Sequence, residues 1–349
     1  MRRTGWRLVV GMVVLFVLAG GGPRAMAAEE PEVKQLAIGM GLDIGYSAPV
    51  VAVNKGWFKE AGFTDVSFKT FTAAVLAGEA LAAGQIHLWM PGNPPVVSMF
   101  HNGIPVVVVG VNSTGWDNEK LVVRKDANVN KPEDLYRIKI GVTQGSSAHA
   151  VLHYLVKQYK LDPTRLQIVN LLPPEQQASL VSNNIQAILV WEPWCLRALQ
   201  SIDAKVLHTG LTSHFAGNDG ERVKISNTRV SYVASQPFVR KNPKTVRAML
   251  GVLLRAQRYV ADPKNRDEAA RLFSEFAKQD LEINRAIFTA HVFNPAIDEA
   301  YVDDMERTAA YLEAEGRIKN RTHILDYTYT GFIEELDPSL VKVKGRWKP

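Results

Sequence analysis

The sequence predicts an α/β protein built from two similar lobes that are joined by a hinge of two chain crossings. From Val33 onward, strand-like and helix-like segments alternate, as they do in largely parallel sheets. A strand–loop–helix pattern also occurs twice, at residues 80–94 and again at residues 179–193. The last third of the chain is mainly helical. This duplication predicts two lobes that face each other across a cleft, as in a clamp.

The first 27 residues are typical of a secretory signal peptide. Three arginines precede an apolar run from Leu8 to Leu18, and Ala25-Met26-Ala27 provides a small-x-small cleavage site. A membrane anchor is the alternative, but this run is far shorter than the roughly 20 residues that cross a bilayer. The sequence therefore predicts export to the periplasm.

Removal of this segment changes the charge of the chain. Four of the 41 basic residues lie in it, so 37 basic side chains remain against 35 acidic ones, and the net charge falls from +6 to about +2. Such a balance gives no reason to expect nucleic acid as a partner. The single cysteine, Cys195, excludes an intrachain disulfide.

We predict the first lobe over residues 33–118 and 233–349. Its N-terminal part has alternating elements, and Gly62 and Asn102-Gly103 end two of its predicted helices. The predicted strands cover residues 36–41, 65–71, 86–90 and 105–111, and the predicted helices cover residues 48–61, 75–83 and 94–101. The helical C-terminal region, which extends to about Gly316, is expected to pack back onto this lobe.

We predict the second lobe over residues 119–232, with the same layout. Its predicted strands cover residues 119–124, 139–143, 166–171 and 185–191, and its predicted helices cover residues 147–160 and 174–182. Extended segments near residues 117–121 and 230–234 would cross between the lobes and form the hinge.

The turn before the predicted helix at residue 147 is a candidate ligand site. Gly145 allows a tight turn, and Ser146 and Ser147 place hydroxyls where the first backbone N–H groups of a helix lack partners. Such a helix start attracts anions. Plain N-capping by serine is the alternative.

Two residues that precede prolines have the same ambiguity. Asn93 lies before Pro94, and Glu192 lies before Pro193 at the matching position of the repeat. A residue before proline is extended, and proline favours the first turn of a helix, so both are natural N-caps. Both also follow a strand, where open α/β sheets bind ligands. We therefore predict that they lie on opposite walls of one cleft.

Aromatic residues flank these loops. Tyr46 and Ser47 occupy the matching turn of the first lobe, and Trp116 and Trp191 lie beside the other loops. They are candidate ligand contacts, although core packing explains any single aromatic residue equally well.

No metal or cofactor site is predicted. His149 and His153 have i, i+4 spacing, but no third ligand lies nearby in the sequence, which favours a surface pair. Cys195 has no evident histidine partner, which favours a buried thiol.

The chain resembles the periplasmic substrate-binding proteins of ATP-binding-cassette (ABC) importers for nitrate, sulfonate and taurine, which are akin to bacterial thiamine-precursor binders. Nearly the whole mature chain takes part in this resemblance. Its segments are YSAPVVAVNKGWFKEAGF, LAAGQIHLWMPGNPPV, VNKPEDLYRIKIGVTQGSSAHAVLHYLVKQYKLD, LVSNNIQAILVWEPW and SYVASQPFVRKNPKTVRAML.

The resemblance implies a periplasmic binding protein type II fold and a monomer that delivers a small-molecule solute to an inner-membrane ABC permease. It implies a cleft lined by Tyr46, Ser47, Asn93, Pro94, Ser146, Ser147, Trp191 and Glu192. The GSSAH run is similar to alkanesulfonate binders, whereas WEPW is closer to taurine and nitrate binders. Gly92-Asn93 replaces the more usual Gly-Asp pair of the family.

The expected solute is a small organic anion such as an alkanesulfonate or taurine. Glu192 would repel a bare anion unless the solute carries an amine or a nearby arginine neutralises the carboxylate. Nitrate and a nitrogenous, thiamine-precursor-like pyrimidine are the alternatives. An enzyme of the pyrimidine-synthase-like branch is a remote one, because those enzymes depend on a cysteine-rich motif that this chain lacks. A sensor role on the same fold is a further possibility.

Overall fold

The computed structural model describes residues 30–349, and the predicted signal segment at residues 1–27 lies outside them. The described chain forms two β-sheets with helices packed around them, which confirms the predicted α/β class. The strands are β1 (Gln35–Met40), β2 (Asp65–Thr70), β3 (Leu88–Trp89), β4 (Val106–Gly115), β5 (Glu119–Arg124), β6 (Lys139–Val142), β7 (Gln167–Asn170), β8 (Ala187–Trp191), β9 (Ala204–Thr209), β10 (Thr212–Ser213), β11 (Glu221–Arg222) and β12 (Thr228–Ser235).

The strand orders of the two sheets show that the lobes share one topology. The first sheet has the order β2-β1-β3-β12-β4, and the second has the order β11-β10-β9-β5-β8-β6-β7. In the first, β2, β1 and β3 are parallel and β12 is antiparallel to β3. In the second, β7, β6 and β8 are parallel and β5 is antiparallel to β8. The duplication that the sequence predicts is therefore present in the strand pairing.

The helices cover the faces of both sheets. Those of the N-terminal lobe are α1 (Ser47–Asn54), α2 (Trp57–Glu60), α3 (Ala77–Ala82) and α4 (Asn93–His101). The second lobe has α5 (Ser147–Gln158), α6 (Pro173–Val181) and α7 (Trp194–Ser201). The C-terminal region has α8 (Gln236–Lys241), α9 (Pro243–Ala261), α10 (Arg266–Ala277), α11 (Leu281–Ile287), α12 (Glu299–Ala314) and α13 (Gly331–Leu336). As predicted, this region packs on the first lobe, through contacts such as α1 with α9 and α4 with α12.

Side-chain alternation along the central strands builds an apolar core on each face of each sheet. In β4, Val107 and Val109 join one cluster of buried residues, and Val106 and Val108 join the other. Successive strand residues point to opposite faces, so a run of valines suits a strand that is buried on both sides. The central strand β4 is therefore packed against apolar residues on both of its faces.

The two crossings between the lobes are short. The chain leaves β4 at Gly115 and enters the second sheet at Glu119, and it returns when β12 begins at Thr228. Thr228 already pairs with Gly115 across the ladder of β12 and β4. The return therefore lies earlier than the predicted boundary at residue 233, and residues 228–232 belong to the sheet of the first lobe.

Three local predictions differ from the structure. The helix predicted over residues 48–61 is split by Gly56, whose φ of 74° places it in the left-handed region. Asn93 is the first residue of α4 and Gly92 is its N-cap, so the predicted capping role of Asn93 is wrong. Pro193, after a cis peptide bond, precedes α7 in place of Glu192. Among residues 30–349, we find no helix with the length and apolarity that a bilayer crossing requires.

Candidate functional site

The two lobes enclose a cavity of about 40 Å³ at the carboxyl ends of their parallel strands. By the criterion that one water needs about 10–15 Å³ of such space, the cavity has room for a few water-sized groups. Its walls come from both lobes, both crossings and the C-terminal region: Gly41, Asp43, Tyr46, Ala73, Val75, Gly92, Pro95, Asn118, Glu119, Ser146, Ser147, Trp191, Thr228, Val230 and His291.

Glu119, the first residue of β5, joins these walls. Its side chain is buried, and its Oε1 accepts hydrogen bonds from Ser147 Oγ at 2.6 Å and from Asn118 Nδ2 at 3.4 Å. Its Oε2 accepts a hydrogen bond from Thr228 Oγ1 at 2.8 Å. One carboxylate thus connects the outgoing crossing, the returning crossing and the start of α5.

The surroundings of Glu119 act on its charge in opposite directions. Burial raises the pKa of this carboxyl, and the hydrogen bonds from Ser147 and Thr228 lower it; the net effect is a raised pKa. A carboxylate that accepts hydrogen bonds at both oxygens is stabilised in its ionised form. Any group that brings positive charge into the cavity would lower this pKa again.

Asp43 and His291 form a second polar pair on the wall. Asp43 Oδ1 accepts a hydrogen bond from Gly45 N at 2.8 Å and lies 3.2 Å from His291 Nε2. That approach lacks the alignment of a hydrogen bond, and within the described part of the chain neither ring nitrogen of the buried His291 has a hydrogen-bond partner. His291 is held in place because its neighbour Val292 pairs with Thr114 of β4.

Tyr46 packs against the backbone of the same turn. It ends a short 3-10 helix over Ile44–Tyr46 and is buried. A Cβ atom at Gly41 would lie 2.8 Å from the Tyr46 ring, so this close approach requires glycine. Burial, followed by the negative charges of Asp43 and Glu119, raises the pKa of Tyr46. The phenol therefore stays neutral.

Ser146 and Ser147 line the cavity at the start of α5 and have different partners. Ser146 Oγ accepts a hydrogen bond from His149 N at 3.3 Å and donates one to Thr143 O at 2.7 Å, so it is the N-cap. Ser147 Oγ donates to Glu119 instead. Ser146 thus caps the helix, as one of the two alternatives predicted, and both serines also line the cavity.

Five of the nine predicted site residues lie away from the cavity wall. Tyr46, Ser146, Ser147 and Trp191 line it. Pro94 is replaced on the wall by its neighbour Pro95, and Trp116 lines a separate groove beside Arg307. Ser47 is fully buried in α1, and its hydroxyl has no hydrogen-bond partner between residues 30 and 349.

Asn93 and Glu192, the remaining two, contact the crossing strands. Asn93 Oδ1 accepts a hydrogen bond from Arg229 N in β12 at 2.8 Å. Glu192 Oε1 accepts one from Lys120 Nζ in β5 at 2.8 Å, and its Oε2 accepts one from Leu196 N at 3.0 Å. Both side chains are buried in these contacts. They therefore stabilise the packing against the crossing strands, whereas we predicted that they line the cavity.

The sequence analysis missed five polar residues of the wall: Asp43, Asn118, Glu119, Thr228 and His291. Glu119 had a signal, since it is an acidic residue at the head of the strand that follows the first crossing. Asp43 also had one, because it lies in the same turn as Tyr46. His291 comes from the distant C-terminal region, and only the folded chain brings it to the cavity.

The wall is acidic. Asp43 and Glu119 contribute carboxylates and His291 an imidazole, and none of the residues named above as its lining is Lys or Arg. Lys120 follows Glu119 directly but points to the opposite face of β5, where it pairs with Glu192.

The histidines and the cysteine that the sequence singled out have protein partners. His149 Nδ1 accepts a hydrogen bond from Tyr311 at 2.6 Å, and His153 lies 3.1 Å from Glu315. Cys195 is buried, its thiol donates to Val190 O, and burial raises its pKa. Within residues 30–349, no three side chains of the His, Cys, Asp or Glu type form a group that could hold a metal.

Sequence comparison finds relatives that cover most of the chain. A Bacillus subtilis (strain 168) protein named for aliphatic-sulfonate binding is 24% identical over 332 residues, which is 94% of this chain and 96% of that protein. The taurine-binding periplasmic protein of Escherichia coli (strain K12) is 28% identical over 286 residues, 78% of this chain and 84% of that protein.

Structure comparison agrees on the fold. The alkanesulfonate-binding protein of Xanthomonas axonopodis pv. citri, solved with MOPS bound, matches with a TM-score of 0.71 at 19% identity, over 87% of this chain and all of that one. A desulfurization enzyme also matches, with a TM-score of 0.64 at 14% identity over 88% of this chain and 99% of that one. Identities this low establish the periplasmic binding protein type II fold alone. Residues 29–274 match the sequence profile of the NMT1-like family, and because this match spans more than half of the 349 residues, the chain belongs to the NMT1-like family.

Proposed function

We propose that this protein is the solute-binding component of an ABC importer, exported to the periplasm, where it captures a small solute between its lobes and delivers it to an inner-membrane permease. One observation carries this proposal: the cavity is walled by both lobes and by both crossings between them. The names of the taurine-binding and sulfonate-binding relatives support it.

The arrangement of the wall provides a reason for the lobes to close. Asp43 belongs to the first lobe, Ser147 to the second, and Glu119 and Thr228 to the crossings. A solute that contacts all of these groups binds the closed arrangement more tightly than the open one. It therefore shifts the population towards closure, which is the hinge motion of periplasmic binding proteins.

Binding without catalysis is the proposal that the site chemistry supports. The relatives compared by sequence are named as binding proteins, although the fold also occurs in a desulfurization enzyme. In this chain the single thiol, Cys195, is buried in the second lobe with its proton donated to a backbone carbonyl. It is thereby withheld from the cavity.

Two classes of solute would contact different groups of the site. A small organic anion such as an alkanesulfonate, taurine or nitrate would meet the start of α5, where the first backbone N–H groups point away from the helix. A nitrogenous solute, such as a thiamine-precursor-like pyrimidine, would meet the carboxylates of Asp43 and Glu119. The acidic wall favours the second class, or a solute such as taurine that carries both groups.

The test is whether solute binding compacts the protein. Native mass spectrometry of the mature chain identifies any co-purified solute, and small-angle scattering then compares the radius of gyration with and without it. We expect a smaller radius with solute. Val75→Trp, which adds an indole at a half-exposed position of the wall, is the non-binding control. A radius that is unchanged at verified saturation would overturn the clamp mechanism.

A further inference from the structure

We propose that the solute carries a cationic nitrogen, or a cluster of N–H donors, that is held by the carboxylates of Glu119 and Asp43 with His291 beside them. This inference rests on the proposed function and names the chemical class of the solute. It also assigns a role in solute selection to Glu119, a residue of the outgoing crossing.

The first argument is the surplus of acceptors around the cavity. An ionised carboxylate has about four acceptor positions, and Glu119 uses three of them for Ser147, Asn118 and Thr228. The Oδ1 atom of Asn118 is buried and receives no hydrogen bond from the residues that the structure describes. Asp43 receives a backbone N–H at Oδ1 and has a second oxygen. These groups are complementary to a solute that donates hydrogen bonds.

The second argument is His291. Its side chain is buried, it lines the cavity, and neither ring nitrogen has a hydrogen-bond partner among residues 30–349. Buried polar atoms without partners are rare in native proteins because their desolvation is left uncompensated. A polar solute in the cavity would supply the missing hydrogen bond to this ring, which lies 3.2 Å from Asp43 Oδ1 and therefore acts together with that carboxylate.

The third argument is that nearby cations are already paired. Lys120 Nζ lies 2.8 Å from Glu192, and Arg229 Nε lies 2.7 Å from Asp304 on the other crossing strand. A bare anion in the cavity would therefore face two carboxylates with no lysine or arginine on the described wall to balance them. Such an arrangement rejects anions as well as attracting cations.

The experiment compares probes of opposite charge by calorimetric titration of the mature chain. The cationic probes are methylammonium, acetamidinium and a protonated aminopyrimidine, the anionic probes are methanesulfonate and nitrate, and taurine carries both charges. Native mass spectrometry of the purified protein reports any retained solute. We expect a cationic or zwitterionic probe to bind more tightly than either anion.

Two substitutions that remove charge and keep size test the residues. Glu119→Gln and Asp43→Asn should each weaken the cationic probe by about 10- to 150-fold, as expected for the loss of one hydrogen bond to a charged group. Glu192→Gln is the matched control, because this buried carboxylate lies at the end of β8 and outside the cavity wall. The affinity of Glu192→Gln for the cationic probe should stay within about threefold of wild type, since this substitution removes no contact to the solute.

The outcomes separate the two proposals. If an anion binds most tightly and Glu119→Gln leaves its affinity unchanged or raises it, the cationic class is overturned and solute capture stands. If no probe binds and no solute is retained, both proposals fail. The preference of the wild-type protein between charges needs no variant, so a variant that does not fold leaves that comparison decisive.

Discussion

The two duplicated loops occupy matching positions and perform a similar structural task with different chemistry. In the first lobe, the amide of Asn93 accepts a hydrogen bond from the backbone of Arg229 in β12. In the second lobe, the carboxylate of Glu192 pairs with the side chain of Lys120 in β5. The first loop thus contacts β12, which pairs with β3 of the first lobe, and the second loop contacts β5, which pairs with β8 of the second lobe. The repeat predicts where these residues lie but not which way they face.

The turns that precede α1 and α5 have similar hydrogen bonding, but only one of them carries a charge. Asp43 accepts a hydrogen bond from Gly45 N in the first lobe, and Ser146 accepts one from His149 N in the second. Both satisfy backbone donors at a helix start. Only the first places a carboxylate on the cavity wall, so the acidic side of the site belongs to the first lobe and the hinge.

The largest expected effect is on the Glu192 loop. Glu192→Ala leaves the partly buried Lys120 without its carboxylate partner, and removal of one partner of a buried ion pair costs up to about 3–5 kcal/mol. The free energy of unfolding in urea should fall by that amount, while solute affinity is retained in the folded fraction. A loss of affinity without a loss of stability would instead restore the sequence-based prediction that Glu192 contacts the solute.

The contact between α5 and α12 extends the comparison to the outer edge of the lobes. His149, which faces Tyr311, His153, Glu315 and Arg317, has a pKa lowered from 6.5 to about 4, first by burial and then by the charge of Arg317. Above pH 6.5 the folded and unfolded states are both neutral at this ring. Between pH 6.5 and 4 only the unfolded state gains the proton, so stability should fall on acidification by about 3 kcal/mol in total.

Urea unfolding at pH 7 and at pH 4.5 measures this effect. His208 is buried, and its pKa is also lowered to about 4, so the wild-type change contains both histidines. His149→Gln keeps an acceptor for Tyr311 and removes one titration. It should lose less stability on acidification than wild type; an identical loss would assign the pH dependence elsewhere.

A smaller effect is expected at the matching loop of the first lobe. Asn93→Ala leaves the buried N–H of Arg229 without its acceptor, which costs about 1–3 kcal/mol. The expected result is lower stability, again with solute affinity kept, because Asn93 lies outside the cavity wall. If Asn93→Ala weakened binding and Glu192→Ala did not, the two loops would have different tasks and the comparison would fail.

The sequence predicted the fold better than the site, for a physical reason. Strand and helix periodicity depends on local pattern and on apolar burial, so the class and the duplication could be predicted, whereas the return crossing lies earlier than the predicted residues 230–234. Cavity walls depend on which way a side chain points after packing. Asn93 and Glu192 are polar residues at strand ends. Asn93 accepts a hydrogen bond from β12 and Glu192 accepts one from β5, so both side chains face these strands and not the cavity. His291 reaches the cavity through its neighbour's bridge to β4, a pairing without a local signal.

The most discriminating comparison uses two adjacent serines. Ser146→Ala removes the N-cap of α5 and should lower stability by about 0.5–2 kcal/mol with affinity unchanged. Ser147→Ala removes a hydrogen bond that lowers the pKa of Glu119, so that pKa should rise further. Affinity for a cationic probe should then fall by up to about tenfold, the equivalent of one ordinary hydrogen bond.

Affinity titrations at a series of pH values separate this effect from a general weakening of α5. A cation is attracted by the ionised form of Glu119, so affinity rises with pH through the pKa of that carboxyl. In Ser147→Ala, the rise should move to higher pH, and part of the lost affinity should return as the pH increases further. Ser146→Ala should follow the wild-type profile. Equal losses in both variants at every pH would mean that the two hydroxyls act only as caps, and that Glu119 does not set the charge of the solute.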